Sequence, residues 1–219
     1  MSKPTIVFIP GGFHTPAIFD AVFPFLHAAG YPTIAVYLAS VGVSPGIPDL
    51  KPDAEAVKTV VGGLVELGRE VLVVAHSYGG VPSSQALEGL GKKERHAQGR
   101  AGGVVGMLFI AAHLPTKGYP IPDLYHDVDP PVAKYYANLL RCQSVGPFYT
   151  TITYESYRHI PSAYLLLSDD RALTLPKQKR MARDRGIEQL LGLLDSGHSP
   201  FLSRPEEVSK YIRQFAGET

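Results

Sequence analysis

Apolar residues along this chain recur with two alternating periods. Short runs rich in Val, Ile, Leu and Phe at residues 5–9, 33–37, 71–75, 104–111, 163–168 and 188–194 have the length of strands. Those at 5–9, 71–75 and 104–111 are almost continuously apolar, as strands are in a parallel sheet covered on both faces. Between the runs, the apolar positions switch to helical spacing. Residues 16–29 carry Ile18, Val22, Phe25, Leu26 and Ala29 on one face and stop at Gly30, as a helix closed by a left-handed residue does. Asp53 caps a second helix that runs to about Leu67 and is followed by Gly68. Within it, Gly62 and Gly63 weaken the helix and point to close packing. Further helices are expected from just after Ser77 to about Leu90, over 173–185 and over 205–216. This alternation predicts an α/β fold: a mostly parallel, doubly wound sheet of about six strands, with loops at its carboxyl edge available for chemistry.

One stretch breaks the alternation. Residues 114–161, between the fourth and fifth strands, are rich in proline and hold seven of the 12 tyrosines, Tyr119, Tyr125, Tyr135, Tyr136, Tyr149, Tyr154 and Tyr157, beside Phe148. A long insertion at the active edge is either a lid or disordered, and so many aromatic residues favour packing. Residues 129–141, with Pro130 and Pro131 at their start, suit a helix. The expected organisation is a core of residues 1–113 and 162–219 carrying a small cap, 114–161, over an apolar pocket lined by Tyr119 and Tyr125. Aromatics that merely patch the sheet edge are the alternative.

Composition narrows the function. The 219 residues, 45% of them hydrophobic, suffice for one well-buried core. Lys and Arg (21) balance Asp and Glu (20), and the one basic cluster, residues 91–100, is broken by Glu94 and reads as a solvated helix end and loop. No nucleic-acid partner is expected. A single cysteine, Cys142, permits no internal disulfide, and the chain enters a strand at once with no apolar leader. A cytoplasmic location without membrane contact is therefore expected. No cluster of ligands has metal-binding spacing, and no phosphate loop is present, so neither metal nor cofactor is expected. A homodimer is one option, because a short cap can leave apolar surface for a partner to cover.

The chemistry concentrates at Val71-Leu-Val-Val-Ala-His-Ser-Tyr-Gly-Gly80, an apolar strand driven into a tight turn with Ser77 at its tip. Ala75 and Gly79 are small, so strand and helix can approach while the serine is held in a strained backbone conformation that lifts its hydroxyl above the sheet edge. The helix that follows points unpaired amides at any negative charge beside Ser77. An ordinary N-capping serine is the alternative. As a nucleophile, Ser77 needs a base, and the base needs an orienting carboxylate. His198, in Asp195-Ser-Gly-His-Ser-Pro200, directly follows the last strand, and Gly197 lets that loop turn back over Ser77. Asp169 and Asp170 both follow the fifth strand. Asp195 is close enough in sequence to contact His198, but such a residue more often fixes its own turn. An oxyanion hole needs two amides: the backbone of Tyr78, and that of Gly12 or Phe13 in the loop Ile9-Pro-Gly-Gly-Phe-His-Thr15, where adjacent glycines let the chain pass close to a substrate carbonyl. His14 lines or braces the pocket. His113, like His76 and His126, reads as structural or pocket-lining.

The serine turn resembles the nucleophile elbow of the α/β-hydrolase family, with Ala75 where the first glycine of Gly-x-Ser-x-Gly usually stands. The resemblance implies that the six strands are the family's third to eighth, the two opening strands being absent, and that the order Ser, acid, His holds. It also selects Asp170, because relatives carry Arg or Lys, then Ala and Leu, after the acid, as Asp170-Arg-Ala-Leu173 does here. Gly-Gly-Phe-His-Thr-Pro, Val-Ala-His-Ser-Tyr-Gly-Gly and Gly-His-Ser-Pro are similar to the plant methylesterase and hydroxynitrile lyase branch and its compact fungal and bacterial relatives. Its cyanohydrin lyases carry a lysine just after the catalytic histidine. Ser199 stands there in this chain, which favours esterase. The expected activity is hydrolysis of a small or medium apolar ester, lactone or thioester through an acyl-enzyme. A lyase or cyclase using His198 as base and a catalytically silent small-molecule receptor are the alternatives.

Overall fold

A computed structural model describes residues 3–114 and 127–218. Six strands form one sheet: β1 (Thr5–Ile9), β2 (Thr33–Ala35), β3 (Glu70–His76), β4 (Gly103–Ile110), β5 (Ser162–Leu167) and β6 (Gln189–Leu194). They lie in the order β2-β1-β3-β4-β5-β6, and every pairing is parallel. The alternation of side chains explains the unbroken apolar run of β3. Val71, Val73 and Ala75 enter the core on one face, and Leu72 and Val74 enter the core on the other. Each fully buried valine or leucine contributes about 1.5–3 kcal/mol.

Helices cover both faces. On one lie α1 (Phe23–Ala28) and α8 (Pro205–Phe215). On the other lie α2 (Lys51–Glu66), α3 (Gly80–Ala86) and α6 (Leu175–Asp184). The chain is completed by α4 (Lys92–Ala97), α5 (Pro130–Leu139) between β4 and β5, and the single turn α7 (Pro200–Ser203). Among the described residues no helix is long and apolar enough to cross a membrane.

Several sequence expectations are corrected. The helix expected over 16–29 is two pieces, a 3-10 turn Pro16–Phe19 and α1. Pro24 lacks an N–H and clashes with a preceding turn, so the helix restarts with Pro24 at its beginning. Asp53 is no cap: α2 begins earlier, at Lys51 with Pro52 behind it, and Asp53 sits fully buried in its first turn. Gly62 and Gly63 permit no close packing, since a Cβ on either would meet nothing within 4 Å. The helix after Ser77 ends at Ala86 rather than Leu90. The basic stretch 91–100 is not simply solvated. Arg95, 2% exposed, donates to Glu66 and to the carbonyls of Val65 and Ala101, locking α4 to the end of α2.

Candidate active site

The strand order reverses between β1 and β3, because the chain leaves β1 outward to β2 and returns to β3. At such a switch point the loops leaving two adjacent carboxyl ends part to opposite faces and open a crevice. Ile9 pairs with Ala75, so the Gly11–Gly12 loop and Ser77 flank that crevice. Ser77 sits at φ 49°, a left-handed angle that non-glycine residues rarely adopt. It opens a 3-10 turn, Ser77–Gly79, which leads into α3. The turn is tight enough to require its glycines. A Cβ on Gly79 would fall 2.5 Å from Ile9 O, and one on Gly80 would fall 2.4 Å from His113 O.

Three strand ends bring three side chains together. Ser77 Oγ lies 2.9 Å from His198 Nε2, and His198 Nδ1 lies 2.8 Å from Asp170 Oδ2. The carboxylate accepts the Nδ1–H, which leaves the Nε2 lone pair to accept the serine hydroxyl. Asp170 is held in turn: its Oδ1 accepts the amides of Ala172 and Leu173 at 2.8 and 2.7 Å, and Gln178 Nε2 approaches Oδ2 at 3.4 Å. Asp169, one residue earlier, is exposed. Asp195 accepts the Ser168 hydroxyl at 2.8 Å and so ties the ends of β5 and β6 together.

The loop bearing His198 is held by contacts rather than by Gly197, which takes no left-handed backbone angle. His76, buried at the end of β3, donates Nε2–H to the carbonyl of His198 at 2.8 Å. Its ring packs 4.9 Å from that of His198 and 5.0 Å from that of Phe201. Burial first, then the neighbouring imidazoles, push the His76 pKa well below the usual histidine range, so it stays neutral. From the segment between β4 and β5, Asp127 accepts the Gly197 amide at 2.6 Å and the Ser196 hydroxyl at 3.0 Å.

Across the crevice, Gly11 and Gly12 pass against the elbow. A Cβ on Gly11 would lie 3.0 Å from Ser77 Cβ, and one on Gly12 3.7 Å from Tyr78 Cβ. Of the two amides considered for this loop, that of Phe13 already donates to Gln143 Oε1 at 3.0 Å. His14 is buried, and its Nδ1–H donates to Gly12 O at 2.8 Å; burial lowers its pKa to about 4. His113, next to β4, donates its amide to Ser77 O at 2.8 Å, and burial likewise lowers its pKa to about 4. Tyr119 and Tyr125 lie outside the described residues. The other aromatics of this segment divide between packing partners and solvent. Phe148 stacks 4.8 Å from Tyr78 at the crevice, and Tyr157 patches the sheet against Phe109. Tyr135 and Tyr149 are exposed.

Sequence reading missed Gln143 and Asp127 and gave Asp53 the wrong role, that of a helix cap. Gln143 and Asp127 lie in a segment with no periodicity to read, and their roles exist only through distant partners.

A parallel sheet with a serine on a strained strand-to-helix turn, a histidine after the last strand and an acid after the strand before it defines an enzyme of the doubly wound hydrolase class. The chain belongs to the alpha/beta hydrolase family, whose family model matches residues 6–210. It is 30% identical over 249 residues to the alpha/beta hydrolase nvfD of Aspergillus novofumigatus, covering 100% of this chain and 98% of that protein. It is 26% identical to Methylesterase 7 of Arabidopsis thaliana, covering 87% of this chain and 88% of the relative. The crystal structure of polyneuridine aldehyde esterase superposes with a TM-score of 0.79 at 17% identity, over 98% of this chain and 99% of the other, and shows the shared fold.

Proposed function

We propose that this enzyme is a serine hydrolase that cleaves a small or medium apolar carboxylic ester, lactone or thioester through an acyl-enzyme. The observation that carries the reading is the unbroken hydrogen-bonded chain from Ser77 through His198 to Asp170 at the switch-point crevice. Ser77 Oγ attacks the carbonyl carbon while His198 Nε2 takes its proton, and the carbonyl electrons move to oxygen, where the amides of Tyr78 and the Gly12 loop receive the charge. Collapse breaks the bond to the alcohol or thiol, which leaves with the proton from His198. Water then repeats the sequence on the acyl-enzyme and frees the acid and Ser77. Asp170 keeps the imidazole in the tautomer that accepts from serine. The segment 114–161 acts as the cap, with Phe148 supplying apolar surface beside Tyr78. Ester cleavage is favoured by relatives named as a methylesterase and a methyl jasmonate esterase.

The test is turnover of short-chain p-nitrophenyl esters with burst kinetics, together with covalent labelling by a fluorophosphonate that maps to Ser77. Ser77→Ala should lose both. A Ser77→Ala protein that kept its activity toward the true substrate would replace this reading with a lyase or cyclase that uses His198 as base.

A further inference from the structure

The loop after β1 is clamped through a relay of side chains from distant segments. The peptide joining Gly12 and Phe13 is held on both sides. Its N–H, that of Phe13, donates to Gln143 Oε1 at 3.0 Å, and its carbonyl accepts from His14 Nδ1 at 2.8 Å. Phe13 itself sits at φ 70°, a strained angle that persists only where the surroundings impose it. Gln143 donates Nε2–H to Ser40 Oγ at 2.6 Å, and that hydroxyl donates to Asp53 Oδ2, also at 2.6 Å. The fully buried Asp53 carboxylate also accepts the Ser40 amide at 2.8 Å and the Tyr78 phenol at 2.6 Å.

This relay has one polarity. A carboxylate only accepts, so Ser40 gives its single hydroxyl proton to Asp53 and keeps a lone pair for the Gln143 amino group. The Gln143 carbonyl is then left facing the Phe13 amide. A flipped side-chain amide would set donor against donor there. With the Phe13 amide committed, the Gly12 N–H remains, bonded to none of the described residues, in a loop where Gly12 lies against Tyr78 and Gly11 against Ser77.

We propose that Gln143 is a positioning residue: oriented by Ser40 and Asp53, it clamps the Gly12–Phe13 peptide so that the Gly12 N–H, together with that of Tyr78, receives the oxyanion. The proposal rests on the serine hydrolase reading above. Gln143 belongs to the segment between β4 and β5, which is seated by hydrogen bonds from Arg141 N to Phe13 O at 2.9 Å, from Gly42 N to Cys142 O at 2.8 Å and from Ser144 N to Ser40 O at 2.9 Å. These bonds fix where Gln143 stands against the loop. The clamp gives no atom to the reacting centre.

Gln143→Met keeps length and shape and removes both hydrogen bonds. With p-nitrophenyl esters as substrate, kcat is expected to fall roughly 10²-fold at little-changed KM. The inhibition constant of a trifluoromethyl ketone, which binds as an oxyanionic hemiketal on serine, should rise by a similar factor, while that of the corresponding alcohol stays put. Ser40→Ala should move the same two constants in the same direction by less, and it carries the comparison if the methionine variant does not fold. Wild-type kcat and ketone affinity in Gln143→Met would overturn the clamp, as would equal weakening of ketone and alcohol, the mark of a mere packing residue. Failure of the unmutated protein to turn over esters or take the fluorophosphonate would instead overturn the hydrolase reading, and the clamp with it.

Discussion

At the end of β5 two adjacent aspartates meet opposite surroundings. In the turn that follows β5 the two side chains leave in different directions: Asp170 turns inward to His198 and the amides of Ala172 and Leu173, while Asp169 faces solvent. Sequence alone offered both, and only a family resemblance preferred Asp170. The geometry gives the preference a cause and a consequence. Asp170→Asn should lower kcat by ~10⁴-fold, because an amide can present its N–H to Nδ1 and stabilise the wrong tautomer. Asp169→Asn should leave kcat within about twofold, in line with the small effects of surface changes. Steady-state kinetics on the two variants, with folding checked by circular dichroism, separates them; equal losses would mean that the acid is shared or misassigned. The same scale holds what was hidden. His76 reads from sequence as structural or pocket-lining, and its contact is specific: it holds the backbone of His198, the residue proposed as base.

Elements were legible where their period is local. The strands come out within about two residues of expectation, because β-branched apolar runs fit a sheet buried on both faces and little else. Helix ends were less legible. Asp53 has the chemistry of a cap and the position of a core residue, and propensity cannot distinguish the two when its partners, Ser40 and Tyr78, arrive from other segments. The turn between β3 and α3 is the element on which most depends. Gly79→Ala would press a methyl onto the Ile9 and Pro10 carbonyls, at 2.5 and 2.6 Å, backbone atoms at the end of β1 and the start of the loop after it. Such overpacking costs about 1–3 kcal/mol or more. Urea denaturation should therefore show a lower midpoint at unchanged slope, and ester turnover should fall further than stability, since any yielding moves Ser77 against the Gly12 loop. A variant with the wild-type midpoint would show that the elbow is looser than its contacts imply.

Across the whole molecule the imidazoles around the crevice govern acid stability. His14 and His113 are lowered to about 4 and His76 well below its ordinary value, in each case first by burial. Above pH 6.5 these groups are neutral in both the folded and the unfolded chain and contribute nothing. As the pH falls below 6.5, the unfolded chain takes up protons that the folded one refuses, so stability drops between about 6.5 and 4. His113 is partly exposed and counts for less. His14 and His76 alone should make the protein about 2–4 kcal/mol less stable at pH 5 than at pH 7, at ~1.4 kcal/mol per pH unit for each group. Glu218, pulled to about 2 by Lys3 and then Arg213, is shifted in the same direction, but its contribution is lost only as the pH falls below about 4.5, outside that window. Denaturation midpoints that stay flat from pH 7 to 5 would show that the imidazoles titrate freely. These buried histidines also mark the division of labour between chain and fold. The sequence by itself determined the alternation of strand and helix and the tight turn at Ser77, because period, small residues and turn chemistry act between near neighbours in the chain; the order of serine, acid and histidine came from the family resemblance. Only the tertiary structure decided which aspartate faces His198, which amide of the Gly12 loop stays open, and that Gln143, Asp53 and Asp127 hydrogen-bond around it. Each of those outcomes is a hydrogen bond between segments far apart in the chain, and it exists only once the sheet has fixed where its strands end.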